Sequence, residues 1–407
     1  MRNRKAAIGF IFITLMIDVT GLGLIIPVMP KLIEQLTGSD VSMASKYSGW
    51  LLFTFALMQF LFAPIIGGLS DKYGRRPVLL VALLGFALDY LLLSFAPDIV
   101  WLFIGRALAG ITGASFTTAT AYIADISTDD NRAKNFGMVG AAFGMGFIIG
   151  PVIGGLLGSF GPRVPFMVAA ALTFLNFLYG YFILPESLAK ENRRPFDWSR
   201  ANPIGALKGL KNHPALGGLA VSMFLIFLAA HAVQSNWSFF VIERFKWTEL
   251  QIGISLGVVG VLVGLVQAVL VRYTIPKLGN EKSIYMGIGM YGIGLLLFAF
   301  ANQSWMMYVF LLPYCLGGIS TPSLQAVMSA NVPANAQGEL QGAVTSLISI
   351  TSIIGPPMMT GPFAYFTKKD APVHFSGSAF LLGAVIMLSS AVIAYRSFHS
   401  KSKITIA

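Results

Sequence analysis

Charge is scarce in this 407-residue sequence: Asp, Glu, Lys and Arg make up 11% of it, where a soluble domain carries about 25%. So few charges cannot clothe a water-facing surface. Cysteine is scarcer still. The single Cys315 excludes a disulfide framework and a thiolate metal cluster. Histidine stands only at His213, His231, His374 and His399, too scattered for a zinc site, and no nucleophile has a base beside it. No GxxxxGKS loop is present, which excludes a P-loop ATPase. We therefore expect no enzyme, no resident metal and no organic cofactor. Apolar and polar residues do not alternate along the long apolar stretches, which excludes a membrane β-barrel. After the basic start Met1–Lys5, the first apolar run continues for about 22 residues without a small-residue cleavage site, so it reads as a membrane helix and not a leader.

What the chain does have is apolar sequence in long blocks. It is 56% hydrophobic, and its mean hydropathy is +0.74. The apolar runs fall at about 7–29, 46–67, 78–96, 99–123, 136–157 and 165–184, then at about 215–236, 250–271, 283–301, 305–328, 340–362 and 377–395. Each is near the roughly 20 residues that cross a bilayer as a helix. The expected fold is an all-α membrane protein of twelve transmembrane helices in two pseudo-symmetric halves. The N-terminal six-helix half is 1–184, the connector 185–214 and the C-terminal half 215–407. The connector is the most polar stretch and holds Arg193, Arg194, Pro195 and Asp197. Trp50, Trp101, Trp237, Trp247 and Trp305 fall near the ends of runs, where aromatic belts form.

The halves resemble each other. Phe136-Gly137 and Ile148-Ile149-Gly150-Pro151 recur as Gln341-Gly342 and Ile353-Ile354-Gly355-Pro356 at an offset of 205. Gly49, before run two, matches Gly253, before run eight, at an offset of 204. Repeats related by an axis along the membrane normal are one way that transporters alternate access to a midplane site. The net charge of +11 also has a topological meaning. Of 28 Lys and Arg, 20 lie in the segments that alternate with the N-terminus and seven in the opposite set, with Arg106 alone inside a run. That asymmetry predicts cytoplasmic termini and gives no reason to expect nucleic acid as a partner.

Three motifs carry more than packing. Gly67-Gly68-Leu69-Ser70-Asp71-Lys72-Tyr73-Gly74-Arg75-Arg76-Pro77, after run two, is a tight turn with an acid and fixed cations, suited to latching neighbouring helices. It resembles the signature loop of the major facilitator superfamily, GxLxDRxGRR, with Lys72 for the usual Arg. Leu102 to Ala114, LFIGRALAGITGA, resembles that superfamily's fourth-helix pattern around a buried Arg, here Arg106. Gly146 to Gly155, GFIIGPVIGG, is similar to its fifth-helix antiporter motif. Gly146, Gly150 and Gly154, four apart, permit close helix approach, and Pro151 removes a backbone hydrogen bond. Asp18 to Pro30, Leu57-Met58-Gln59, Leu88 to Leu93 and Leu324 to Ser329 look like tetracycline-efflux proteins of the drug:proton antiporter group. That resemblance implies export of a drug-like molecule against protons, with a divalent metal carried in the cargo if the drug is a tetracycline chelate.

The sequence departs from those pumps in the second half. Tyr291 stands where they carry a ninth-helix acid, and Gly260-Val261-Leu262-Val263-Gly264-Leu265 lacks their eighth-helix histidine. No carboxylate lies inside a second-half run.

Asp18, in mid-run, is the leading candidate for proton coupling. A charge at that depth costs roughly 2.5–3.5 kcal/mol and needs a cavity or a partner. A carboxylate opposed by burial and favoured by a cation is poised to trade a proton for a cationic ligand. Asp89 and Arg106 either pair or each serve the cavity; the sequence leaves both open, and Asp89 stands with Asp18 as a proton-coupling candidate. Arg106 stays charged, so it can hold an anionic group or tune an acid but cannot carry the proton. His231 is the one histidine within a run and a second protonation candidate, with packing as its plainer role and Gln234 on its helical face. Gln59, Gln234, Asn236, Gln267, Gln325 and Tyr291 supply uncharged polar groups for substrate. Asp71, Arg75 and Arg76 are the expected latch. Asp125, Asp129, Asp130, Arg132 and Lys134 read as a solvated loop. The expected protein is a monomeric secondary transporter of a bacterial inner membrane, binding lipid, protons and a small substrate. The alternative is a proton-coupled symporter or facilitator for a nutrient.

Overall fold

The computed structural model describes residues 2–113, 115–197, 216–333 and 336–399, without the side chains of 2–7, 115–116, 129–130 and 132–133. The connector beyond Asp197 and the side chains of Asp129, Asp130 and Arg132 therefore lie outside the described residues. Among the described residues the long apolar runs are almost wholly helical, because a backbone in hydrocarbon must satisfy its own hydrogen bonds. In the first half of the sequence α1 is Arg2–Ile25, α2 Met29–Thr37, α3 Val41–Tyr73, α4 Arg75–Ser94, α5 Ile99–Thr112, α6 Ser115–Ile126, α7 Asp129–Gly158 and α8 Val164–Ile183. In the second half α9 is Gly217–Phe245, α10 Glu249–Leu265, α11 Val271–Leu278, α12 Asn280–Ala299, α13 Ser304–Leu316, α14 Ser320–Ala330, α15 Gln337–Thr367 and α16 Ser378–His399. A π-helical turn, Val266–Leu270, joins α10 to α11, and a 3₁₀ turn, Gly317–Ile319, joins α13 to α14. Counting those joined pairs and α5 with α6 as single spans, 12 helices among the described residues are long and apolar enough to cross a membrane.

The helices outrun the apolar runs. Run two extends on both sides into α3, 33 residues long, and run seven reaches Phe245 in α9. Polar residues beyond the hydrocarbon still prefer helical hydrogen bonding. Run one, by contrast, divides near Pro27, and its last residue begins the short α2.

The chain forms two compact units. One comprises Met1–Gly38, Thr54–Pro203 and Trp247–Gly260; the other comprises Ser39–Phe53, Ile204–Lys246 and Val261–Ala407. Helix α3 is thus divided between them.

In the first unit the most extensive helix pairing is α1 with α7. A Cβ added to Gly150 would lie 2.6 Å from the Thr20 carbonyl oxygen and 2.9 Å from Gly23 Cα. Gly146 meets the Met16 carbonyl and Gly154 that of Leu24, so the antiporter-like glycines form the seat on which α1 lies. Phe10, Leu15, Leu79, Leu83, Tyr122 and Ala142 fill the core beside this crossing. In the second unit α9 packs along α16, where the Ser222 and Ser390 hydroxyls lie 2.7 Å apart. Such interhelical bonds are worth about 0.6 kcal/mol each on average in a membrane.

Two of the belt tryptophans are not at a surface. Trp50, Trp101 and Trp305 are exposed, whereas Trp237 and Trp247 are buried. Trp237 stacks edge-on to Phe298, and burying its ring in that aromatic cluster outweighs an interfacial position.

Candidate functional site

The deep charges of the first half converge. Asp89 on α4 is fully buried and Arg106 on α5 is 4% exposed. Arg106 Nη2 donates to Asp89 Oδ2, which settles in favour of pairing the choice that the sequence left open. The contact depends on Gly105, where a Cβ would stand 2.6 Å from Asp89 Oδ1. The guanidinium also lies 5.8 Å from the ring centroid of Phe55 on α3. Asp89 Oδ1 and Arg106 Nε are buried with no hydrogen-bond partner among the described residues. A pair bonded through one oxygen and one nitrogen keeps acceptor and donor capacity for something else.

Asp18 is half-buried on α1. Tyr90 of α4 is buried with its hydroxyl end against Gly21, three residues on from Asp18 in α1. Gln59 of α3 is half-buried and donates through Nε2 to the Gly113 carbonyl, 3.2 Å away, at the end of α5. The second unit repeats the arrangement. Gln267, in the π-turn, donates at 3.2 Å to the Gly318 carbonyl in the 3₁₀ turn. Both acceptors lie where the α-helical ladder is interrupted, so each glutamine binds a carbonyl released by a break.

The second unit replaces the ion pair with neutral groups. Tyr291 on α12 donates its hydroxyl to that of Tyr314 on α13 at 3.1 Å, and the rings lie 4.7 Å apart. His231 is buried on α9 with its ring against Gly355, the counterpart of Gly150. Gln234 is exposed, so despite their spacing the two occupy different surroundings. Asn236 is fully buried, and neither amide atom finds a hydrogen bond among the described residues. Gln325 is half-buried on α14.

The signature loop is built more fully than the sequence suggested. Arg75 Nη1 donates to Asp71 Oδ1 at 2.5 Å and to Ser70 Oγ at 2.6 Å, and its Nε donates to Asp125 Oδ2 at 3.2 Å. Asp125 also accepts from Ser187 at 2.9 Å. It is exposed, as a solvated position should be, and it also joins the charge cluster of the signature loop, because α6 delivers it to the guanidinium. Arg76 Nη2 donates to the Tyr181 carbonyl at 2.7 Å. Glu186 caps α4 from outside it, accepting the backbone N–H of Arg75 at 2.8 Å and of Arg76 at 3.2 Å. Those are orphan donors at the positive end of a helix. Gly74 has φ 105 and ψ 161, a region almost confined to glycine, and a Cβ there would strike the Glu186 carboxylate. Sequence reasoning overlooked Glu186, Tyr90 and Tyr314. Only Glu186 carried a signal, as the first acid after run six.

A sequence model of the Major Facilitator Superfamily matches residues 11–356. The chain belongs to that superfamily. It is 39% identical over 388 residues to the class C tetracycline resistance protein of Escherichia coli, covering 95% of this chain and 96% of that one. It is 30% identical over 371 residues to multidrug resistance protein 2 of Bacillus subtilis, covering 89% and 90%. In fold it matches the crystal structure of the nucleoside transporter NupG with a TM-score of 0.76 at 12% identity, covering 98% of this chain and all of that one. This major facilitator protein is thus a multi-pass membrane transporter of small molecules, related to drug-efflux proteins, in a family of transporters and not of enzymes.

Proposed function

We propose that this chain is a drug:proton antiporter of a bacterial inner membrane, with both termini cytoplasmic, acting as a monomer. The observation that carries the proposal is the buried Asp89–Arg106 pair within the spanning parts of α4 and α5, in the same unit as Asp18 in the spanning part of α1. Intramembrane charges are costly and usually mark an ion or substrate path. Asp18 is the carboxyl that exchanges a proton, aided by Asp89, which Arg106 holds. In the cycle Asp18 takes a proton from outside, releases it to the cytoplasm, and the freed carboxylate receives the positive end of the cargo. His231 is the second protonation candidate.

The remaining substrate-binding groups are uncharged but for one. Tyr291, Gln59, Gln234, Asn236 and Gln325 offer hydroxyl and amide groups, and Arg106 offers a cation to an enolate or carboxylate. Such a set suits an amphipathic, aromatic drug of tetracycline type or another organic cation; a tetracycline would bring its divalent metal as cargo. The names of the relatives, tetracycline and multidrug resistance proteins, support this class. The neutral Tyr291–Tyr314 pair, where the resembling pumps carry an acid, supports a drug range different from theirs. The loop of Asp71, Arg75 and Arg76 latches one state of the cycle.

The test is proton movement in proteoliposomes, read with a pH-sensitive dye, as tetracycline with magnesium and then ethidium are added to wild type and Asp18→Asn. Wild type is expected to release protons on adding at least one drug, and Asp18→Asn to lose at least nine-tenths of that signal. Proton release that survives in Asp18→Asn would refute the coupling role. Silence of wild type towards both drugs would favour nutrient transport.

A further inference from the structure

Helix α10 follows the connector in the sequence, yet its first turns lie in the first compact unit, which takes in Trp247–Gly260. They are laid on α7, backbone against backbone. A Cβ added to Gly253 would strike the Pro151 carbonyl and stand 3.1 Å from Gly155 Cα; one added to Gly155 would strike the Glu249 carbonyl. A Cβ on Gly260 would lie 2.6 Å from Ile148 Cγ1. At the end of α7, a Cβ on Gly158 would lie 3.0 Å from Glu249 Cβ and 2.6 Å from Val28 Cγ1, so α7, α10 and the turn into α2 meet at one point. There Lys31 Nζ of α2 lies 2.8 Å from Glu249 Oε1, with the Glu249 side chain 15% exposed and that of Lys31 50%. The beginning of α7 is different. A Cβ on Gly137, Gly140 or Gly144 would meet nothing within 4 Å among the described residues.

We propose that Lys31 and Glu249 form the ion-pair latch of a gate at the outer end of the transporter. With the termini cytoplasmic, the end of α7 and the start of α10 face outside, so the inference rests on the orientation proposed above. Two repeats that alternate access to a midplane site must part at each end in turn. The seat of α10 on α7 joins the second repeat to the first, and it has to separate before anything enters from outside. Its glycine contacts hold by close packing and carry no charge. Lys31 and Glu249 add an attraction across the same junction: α2 supplies the cation, and the acid stands in the first turn of α10, where the helix favours it. The pair is partly wet, and pairs of that kind are weak. A weak pair suits a gate, because it biases the closed state without trapping it.

The experiment uses the full-length protein in right-side-out vesicles, without any drug, with Cys315→Ser and the reporter Leu256→Cys. Leu256 is 6% exposed, three residues after Gly253 and four before Gly260, on the side of α10 that meets α7. A membrane-impermeant maleimide added outside should label this cysteine slowly, with the total set by labelling after denaturation. Adding Lys31→Gln or Glu249→Gln should speed labelling by about twofold to fivefold. Lys31→Glu, which sets two acids together, should speed it at least as much, and combining it with Glu249→Lys should restore the original rate. Unchanged rates in both glutamine variants would overturn the latch while leaving the orientation standing. Faster labelling that the charge swap fails to restore would also overturn it, since that marks a general loosening of the fold. Labelling of the reporter protein only in inverted vesicles would overturn the orientation, and the outer gate with it.

Discussion

At the scale of single residues, the Asp89–Arg106 pair decides more than any other contact. Two charges held in so dry a place are tolerated only together, and removing one partner from a buried pair costs about 3–5 kcal/mol because the other charge is stranded. Arg106→Gln should therefore lower the midpoint of thermal unfolding in detergent sharply, and Asp89→Asn less. The double variant Asp89→Asn, Arg106→Gln should recover more than half of the loss seen in Arg106→Gln. If the two single losses simply add in the double variant, the side chains do not act as a pair. Which charges stood deep was legible from the sequence; that Asp89 reaches Arg106 was not, because it depends on Gly105 letting α4 and α5 close on one another.

At the scale of helices, the signature loop is a capped junction as well as a charge cluster. Glu186 arrives from just beyond α8 to bind the first amides of α4, and Gly74 holds the backbone angle that exposes them. Glu186→Gln loses the charge at the helix end, worth about 0.3–1 kcal/mol, and keeps only one of the two oxygens that accept from Arg75 and Arg76. Gly74→Ala forces a side chain into a strained region, costing about 1–3 kcal/mol, and drives it into Glu186. Unfolding in detergent should rank Gly74→Ala as the more damaging by about 1 kcal/mol or more, roughly fivefold in the folded to unfolded ratio. Equal losses would mean that neither strain nor collision exists there. The sequence showed Gly74 within a motif but not its reason, since a cap contributed by a residue more than a hundred positions away has no local pattern.

At the scale of the whole chain, the charge count predicts orientation. The proposal places the termini and the loop of Asp71 in the cytoplasm. With Cys315 replaced by serine, single cysteines placed in loops would report this through a membrane-impermeant maleimide. Lys72→Cys should label only after the membrane is broken, and Ser304→Cys in intact cells. The opposite pattern would reverse the topology, and with it the direction assigned to the proton.

By itself the sequence determined the number of spans, the superfamily, the repeat and the depth of each charge. All four follow from hydropathy, spacing and motif, which are properties of neighbours along the chain. Only the tertiary structure decided that Arg106 takes Asp89, that Tyr90 rests on Gly21, that Tyr291 turns to Tyr314, and that Asp125 and Glu186 bind the residues of the signature loop. Those contacts depend on which helix faces meet. A helix presents a polar face in the same way to any neighbour, and in a bilayer the choice is made by close packing at small residues such as Gly105 and Gly150, summed over partners far apart in sequence.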